Sequence, residues 1–404
     1  MIHEKTRALV RQVPDRKIIF LVLDGLGGLP HPETRRSELE TADIPNLDRL
    51  AARSSCGRAQ IVDPGVTPGS GPGHLALFGY PPLEIEFGRG ALEALGSDFD
   101  LQSGDLAARA NFATVDDEGI VHDRRAGRPS DEENRRLCAR LSAGFADGVD
   151  GVRVFVLPGK EHRFTVVFRG ADLAPQLNDN DPQREGRPLL DIRPQQPQAT
   201  RSAEVVGDFL RRAREILRDE PVANGMLLRG FSGLPNLMPF KQRYGLTAGV
   251  IAAYPMYRGV ARLVGMDVLG EPKDWEAELA LLEEKLPEYD FIYIHYKGTD
   301  TAGHSGDFTE KVEHFQIVDA TIPRILTLRP EVLVITGDHS TPCIHKEHSW
   351  HPVPTLIHSP LALPQNHAVF TEIGAAGGDL GTFPATHLLP LALAHASHLD
   401  KFGA

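Results

Sequence analysis

The chain has 404 residues, 41% of them hydrophobic and 24% charged, with 39 glycines and 31 prolines, a balance that excludes a small stapled scaffold and wholesale disorder. At that length a sizeable core and at least two lobes are expected. The formal net charge of −12, from 43 basic against 55 acidic residues, lacks the basic footprint of a nucleic-acid or anionic-membrane partner, while an anionic small substrate in one pocket remains compatible with it.

The three cysteines, Cys56, Cys138 and Cys343, are far apart and in no CxxC spacing. They imply neither a disulfide framework nor a cysteine metal site, and a reducing cytoplasm is the expected compartment. The apolar run IIFLVL (18–23) follows a charged N-terminal stretch and is too short for a signal peptide or a membrane span, and no other window reaches that length.

In chain order, IIFLVL (18–23) reads as a strand apolar on both faces. IPNLDRLAARS (44–54) follows as a helix with Leu47, Leu50 and Ala51 on one face and Gly57 placed to end it. Ser130 followed by Glu133 resembles a capping box that opens a helix through Leu137 and Leu141. RVFVLP (153–158), RFTVVFRG (163–170) and GMLLRG (225–230) read as strands, with a helix from Ser202 to Leu217 and a loop-rich stretch, NDNDPQREGRPLLDIRPQQPQ, between them. GVIAAY (249–254), FIYIHY (291–296) and VLVITG (332–337) are again buried strands, and KVEHFQIVDATIPRIL (311–326) is a helix with Val312, Phe315, Val318 and Ile322 inward.

The alternation predicts an α/β core with a mostly parallel sheet flanked by helices, formed by residues 1–104 and 241–404. Residues 105–240 differ in texture and are expected to form a smaller inserted α/β domain. In an open α/β sheet ligands gather beyond the C-terminal ends of the strands, so Asp24, Lys297, Asp300, Asp338 and His339 are expected to meet there.

Five segments carry candidate chemistry. LVLDG offers Asp24 at a strand end; TPGSGPGHLALFGY offers Ser70 in a Gly/Pro loop before a helix; DTAGH offers Asp300 and His304 one helical turn apart; GDHSTP offers Asp338 and His339; HSWHPVP offers His348 and His351 ahead of two prolines, with His345 and His358 nearby. Each alone is compatible with an ordinary turn, a solvated loop or a chance histidine. Jointly they supply a mixed oxygen and nitrogen donor set sufficient for two divalent ions, suited to Mn²⁺ or Zn²⁺ and less to Mg²⁺. A serine at such a pair is equipped for phosphoryl transfer, one ion lowering its pKa and the other clamping phosphoryl oxygens.

The order LVLDG, PGS-x-x-x-H, GTDTAGHSGD, TGDHSTP and H-S-x-x-PVP, together with FGYPP, GRGALEALG, NFATVDDEG, DRRAGRP and NDNDP, resembles the archaeal type of cofactor-independent phosphoglycerate mutase within the alkaline phosphatase superfamily. The resemblance runs over nearly the whole chain. It implies an alkaline-phosphatase-like core, one ion held by Asp24, Ser70, Asp338 and His339, the other by Asp300, His304 and His348, and Ser70 as the residue transiently phosphorylated, with no need of 2,3-bisphosphoglycerate. His351 occupies a place where the family usually has Asp or Asn. The chain departs from the family where Ser70 is followed by Gly71, Pro72, Gly73 and His74 in place of Asp-Thr-Ala-His, at Pro81 in place of an acidic residue, and at Phe87 where tyrosine is commoner.

Arginine placement adds an independent argument. Arg124, Arg125 and Arg128 fall within five residues, and Arg89, Arg163 and Arg229 sit in Gly-rich or strand-end settings; guanidinium forks recognise phosphate and carboxylate, the two ends of a phosphoglycerate. Lys297, beside the metal motif, is a further substrate candidate. The expected activity is the interconversion of 3-phosphoglycerate and 2-phosphoglycerate in glycolysis and gluconeogenesis, with the insert acting as an arginine-bearing lid. A metal-dependent hydrolase of phosphate or phosphonate esters is the alternative, and a binding protein that has lost catalysis is disfavoured by the presence of every ligand.

Overall fold

A computed structural model describes residues 7–85, 88–97, 99–235, 237–365 and 369–403. The chain forms two compact units, Met1–Ile85 with Leu237–Ala404, and Glu86–Asn236.

The first unit is built on an eight-stranded sheet in the order Asp267–Val268, Ala248–Ile251, Phe291–Tyr296, Ile18–Leu23, Val332–Thr336, Val353–His358, Ser55–Gln60, Gly381–Pro384. Every pairing is parallel except the two made by Val353–His358, which bears out the α/β core with a mostly parallel sheet. Ile18–Leu23 is buried at every position, as its unbroken apolar run requires of a central parallel strand. Its register places Leu23 beside Tyr296 and Val22 beside Thr336. Asp24, Lys297 and the Gly337–Asp338 pair therefore leave the sheet at one end.

Helices Pro45–Ala51 and Phe308–Thr327 lie where their apolar spacing predicts. Ile44 offers the former no side-chain cap; instead Asp319, buried on the long helix, accepts the N–H groups of Asn46 and Leu47 at 2.9 and 2.7 Å. A carboxylate from a neighbouring helix thus satisfies the orphan donors and the positive end of the dipole. Gly57 does not end that helix but lies inside the strand Ser55–Gln60, and the strand expected at 249–254 stops at Ile251 because the chain is turning into Pro255, first residue of helix Pro255–Leu263.

The second unit carries an antiparallel sheet, Arg153–Pro158, Arg163–Arg169, Leu106–Val115, Ile120–Asp123, Arg187–Pro188, with Gly225–Ser232 also paired to Leu106–Val115. Helices Asp131–Gly144 and Thr200–Leu217 bury their apolar stripes with Ala108, Ala110, Phe112, Phe164 and Leu228 in one core, and Ser130 caps the first by accepting from the Glu133 N–H at 3.2 Å. Strand alternation puts Arg109 and Asn111 opposite that core face. The unit begins earlier than the 104/105 boundary expected from the sequence and ends at Asn236 rather than 240. Helix Arg89–Gly96 accounts for the first difference: Ala91 donates to Ser232 Oγ at 2.8 Å, and Gly90 lies so close to Ala107 that a Cβ would stand 2.1 Å from its carbonyl oxygen. All three cysteines are buried and free. Among the described residues no helix is long and apolar enough to cross a membrane.

Candidate active site

Asp24 is fully buried and its two oxygens have different surroundings. Oδ2 accepts from His295 Nε2 at 3.1 Å, Lys297 Nζ at 2.9 Å and the Tyr257 hydroxyl. Burial works to raise this carboxyl's pKa, but the His295 bond and the charges of His339, His295 and Lys297 outweigh it, holding the group well below the ordinary range. Oδ1 has no hydrogen-bond partner and is buried, as is Asp338 Oδ2. Both face His339 Nε2, at 3.3 and 3.2 Å.

Ser70 opens helix Ser70–Leu77, and its Oγ lies 3.1 Å from the same His339 Nε2. The Gly-Pro-Gly that follows has a packing reason at Gly73, where a Cβ would stand 2.3 Å from the Asp338 carbonyl oxygen; the bare backbone lets the helix start settle directly on the strand end. His74, one turn on, is wholly buried, contacts Ser70 O at 2.7 Å through Nδ1, and is held down at about 4 by burial.

Asp300 and His304 share the helix Gly298–Ser305, which converts their spacing of four into a common face. His304 Nε2 and His348 Nε2 lie 3.5 and 3.8 Å from Asp300 Oδ1. The Nδ1 of each ring contacts a backbone carbonyl, Lys346 O at 3.1 Å and Pro68 O at 2.9 Å. A neutral imidazole that donates through Nδ1 presents a lone pair at Nε2. Lys297 Nζ bridges Asp24 Oδ2 and Asp300 Oδ2, the latter at 2.5 Å; burial opposes its charge, and those two carboxylates more than restore it.

Among the described residues two groups of ligand atoms are compact enough for an ion, Asp24 with Asp338 and His339, and Asp300 with His339 and His348. The residues fit such a cation, since two buried carboxylate oxygens lack partners and the imidazoles aim Nε2 inward. The resemblance implies a division with His339 on one ion and His304 beside Asp300 and His348 on the other; here His339 belongs to both groups and His304 to neither. His351 stands apart, with Nδ1 3.1 Å from Ser349 Oγ and its ring stacked on Trp350.

The arginines lie in the second unit. Arg124 is forked onto the buried Asp181 at 3.1 and 2.6 Å, and Arg229 stands 3.6 Å from the same carboxylate. Arg128 is 4.0 Å from Glu161, and Arg125 donates its backbone N–H to Asp123. Arg109, which sequence reasoning passed over, is the cross-strand neighbour of Arg229. Both Nε atoms are buried without partners; burial, and after it Arg229, Arg163 and Arg89, works against the Arg109 charge, which Glu93 at 3.4 Å partly supports. Like charges opposed across strands destabilise a sheet, so this face is suited to an anion. The strand alternation of LAARANFATV, with Arg109 and Asn111 on one face of an otherwise apolar run, was the available signal. Tyr257 and His295 were also missed, Tyr257 for want of any motif. Phe87 lies outside the described residues.

Oxygen and nitrogen donors converging on a serine hydroxyl at a helix start are equipment for metal-assisted phosphoryl transfer. The model of the family described as 2,3-bisphosphoglycerate-independent phosphoglycerate mutase matches residues 51–223. Relatives named "Probable 2,3-bisphosphoglycerate-independent phosphoglycerate mutase" include one from Aquifex aeolicus, 48% identical over 96% of this chain and 97% of the relative, and one from Thermus thermophilus, 48% identical over 98% of each. The solved cofactor-independent phosphoglycerate mutase from Thermoplasma acidophilum is 29% identical, covers 94% of this chain and all of its own, and superposes with a TM-score of 0.77. The chain belongs to the 2,3-bisphosphoglycerate-independent phosphoglycerate mutase family.

Proposed function

We propose that the protein interconverts 3-phosphoglycerate and 2-phosphoglycerate through a phosphoserine at Ser70. The mutase activity itself follows from family membership; the route through Ser70 rests on one observation, the convergence of the unpartnered Asp24 Oδ1 and Asp338 Oδ2 with His339 Nε2 beside Ser70 Oγ. Asp24, Ser70, Asp338 and His339 would hold one divalent cation, and Asp300, His304 and His348 the other, with Mn²⁺ or Zn²⁺ suited to the donor set. When bound, the ions supply activation of the serine hydroxyl and neutralisation of phosphoryl charge.

The chain's own groups do the rest. Ser70 Oγ gives up its proton and forms a bond to phosphorus as the bond from phosphorus to the glycerate oxygen breaks, and that oxygen takes up a proton, so that none is gained overall; the reverse step delivers the phosphoryl group to the other hydroxyl and returns the proton to Ser70. Lys297, kept charged by Asp24 and Asp300, contributes a fixed cation. Glycerate must be retained meanwhile, and the guanidinium groups of Arg89, Arg109, Arg124, Arg125, Arg128, Arg163 and Arg229 are proposed to bind its anionic ends. The compartment proposed is the cytoplasm, on the cysteine spacing.

Incubation with 3-phosphoglycerate and Mn²⁺, without bisphosphoglycerate, tests the reading when 2-phosphoglycerate and free phosphate are measured together. Predominant 2-phosphoglycerate is the expected result. Predominant free phosphate would make the protein a hydrolase.

A further inference from the structure

Thr341 is fully buried, two residues beyond His339, and has no place in the chemistry above. Its hydroxyl donates to Asp300 Oδ1 at 2.8 Å and lies 3.0 Å from His339 Nδ1. A carboxylate can only accept, and a hydroxyl has one proton. With that proton committed to Asp300, the Thr341 oxygen is left to accept from His339, whose Nδ1 must carry a hydrogen, and Nε2 is turned to Ser70, Asp24 and Asp338.

We infer that Thr341 is the positioning residue of the metal centre: through one hydroxyl it fixes the ring orientation and tautomer of His339 and the aim of Asp300, and so couples the two ion-binding groups. Asp300 belongs to one group and His339 to both. His304 and His348 have their Nδ1 atoms placed by backbone carbonyls, which no side-chain change removes; His339 alone of the three depends on a side chain.

The position of Thr341 is itself braced. Lys311, wholly buried on helix Phe308–Thr327, contacts Gly25 O, Gly27 O and Thr341 O at 2.9, 3.2 and 2.8 Å, which uses all three ammonium donors on backbone carbonyls. The loop after Asp24 and the loop after Asp338 are thereby tied together. Gly25 lies against the hydroxyl so closely that a Cβ there would stand 2.5 Å from Thr341 Oγ1. Groups that orient metal ligands in this way change affinity about 10- to 100-fold when removed.

The inference rests on the two-ion reading, and the test separates the two. Free Mn²⁺ is followed by electron paramagnetic resonance while protein is titrated, a readout that needs no turnover. Wild type is expected to bind two ions, Thr341→Val and Thr341→Ala to bind at least one of them about tenfold or more weakly, and Thr341→Ser, which keeps the hydroxyl, to bind within about threefold of wild type. The alanine variant serves where the valine variant does not fold. Wild-type affinity in the folded Val or Ala protein, or a Ser variant as weak as Ala, overturns the role of Thr341 and leaves the two-ion site intact. A wild-type protein that binds no Mn²⁺ and no Zn²⁺ overturns both.

Discussion

His339 and His348 stack face to face, with ring centroids 3.6 Å apart and planes inclined by 22°. Two imidazolium rings at that spacing repel strongly, and the pair divides the labour: Asp338 and Asp24 outweigh burial and raise His339, while burial and the charge of His339 lower His348. Divalent cations held at the two centres would remove that repulsion, because each ring would ligate as the neutral imidazole. His348→Ala is accordingly expected to lose one bound ion per chain by elemental analysis, while His351→Ala keeps the wild-type stoichiometry. The opposite pattern would assign the ligand to His351.

Ser70→Ala should abolish mutase turnover, a loss of at least about 10³-fold, because no acceptor oxygen remains for the phosphoryl group. Mn²⁺ binding should persist with modest weakening, since three aspartates and three histidines are untouched. Peptide mapping after brief incubation of wild type with labelled 3-phosphoglycerate should place the label on Ser70. An active alanine variant without labelled peptide would establish direct transfer between the two hydroxyls instead.

Arg109→Ala should raise KM for 3-phosphoglycerate about tenfold or more, the cost of one charge-assisted hydrogen bond to an anion, and lower hydrolysis of a small aryl phosphate much less. Its effect on Tm should be small, because losing the 3.4 Å ion pair with Glu93 is offset by relief of the repulsion between Arg109 and Arg229 across the strands. A fall in Tm with unchanged KM would make Arg109 structural. Arg125→Ala is expected to divide the two assays in the same sense.

Glu278, 4% exposed on helix Trp275–Lys285, accepts the Ala253 N–H at 2.8 Å, and burial pushes its carboxyl up to about 8. The folded state therefore binds this proton more tightly than the unfolded chain, whose value is near 4.5. The stability it contributes is complete below that value and is lost as pH rises towards 8, at about 1.4 kcal/mol per pH unit. Glu278→Gln should exceed wild type in Tm by about 3 °C or more at pH 8 and match it at pH 4.5. Parallel Tm curves across that range would show that Glu278 does not titrate there.

What the sequence revealed and what it hid follow from range. Asp24, Lys297 and Asp338 were legible because an apolar, β-branched run marks a buried parallel strand, and ligands collect where such strands end. Asp300 and His304 were legible because a spacing of four is a helical face. Thr341 and Lys311 were not, since the hydroxyl of the one matters only once Asp300, 41 positions away, is brought beside His339, and the other acts on backbone carbonyls 30 to 286 positions away, and neither residue type advertises it. Arg109 was passed over in a strand otherwise rich in alanine, where alternation was the signal. The second unit starts earlier than expected because helix Arg89–Gly96 packs on both Leu106–Val115 and Gly225–Ser232, and a short helix ahead of a strand does not by itself reveal to which unit it belongs.

Lys297 and Asp24, joined at 2.9 Å, are 273 positions apart in the chain. Between them the whole second unit must be synthesised, and Ile18–Leu23 must wait for Phe291–Tyr296 and Val332–Thr336 before it has a neighbour on either side. Contacts of such sequence separation form slowly and late. A nascent chain released before residue 291 therefore carries Ser70 and Asp24 but none of the later donors that close the centre. A fragment ending before residue 291 is therefore expected to be inert towards phosphate esters, and return of activity during refolding to report completion of the central sheet rather than recovery of helix.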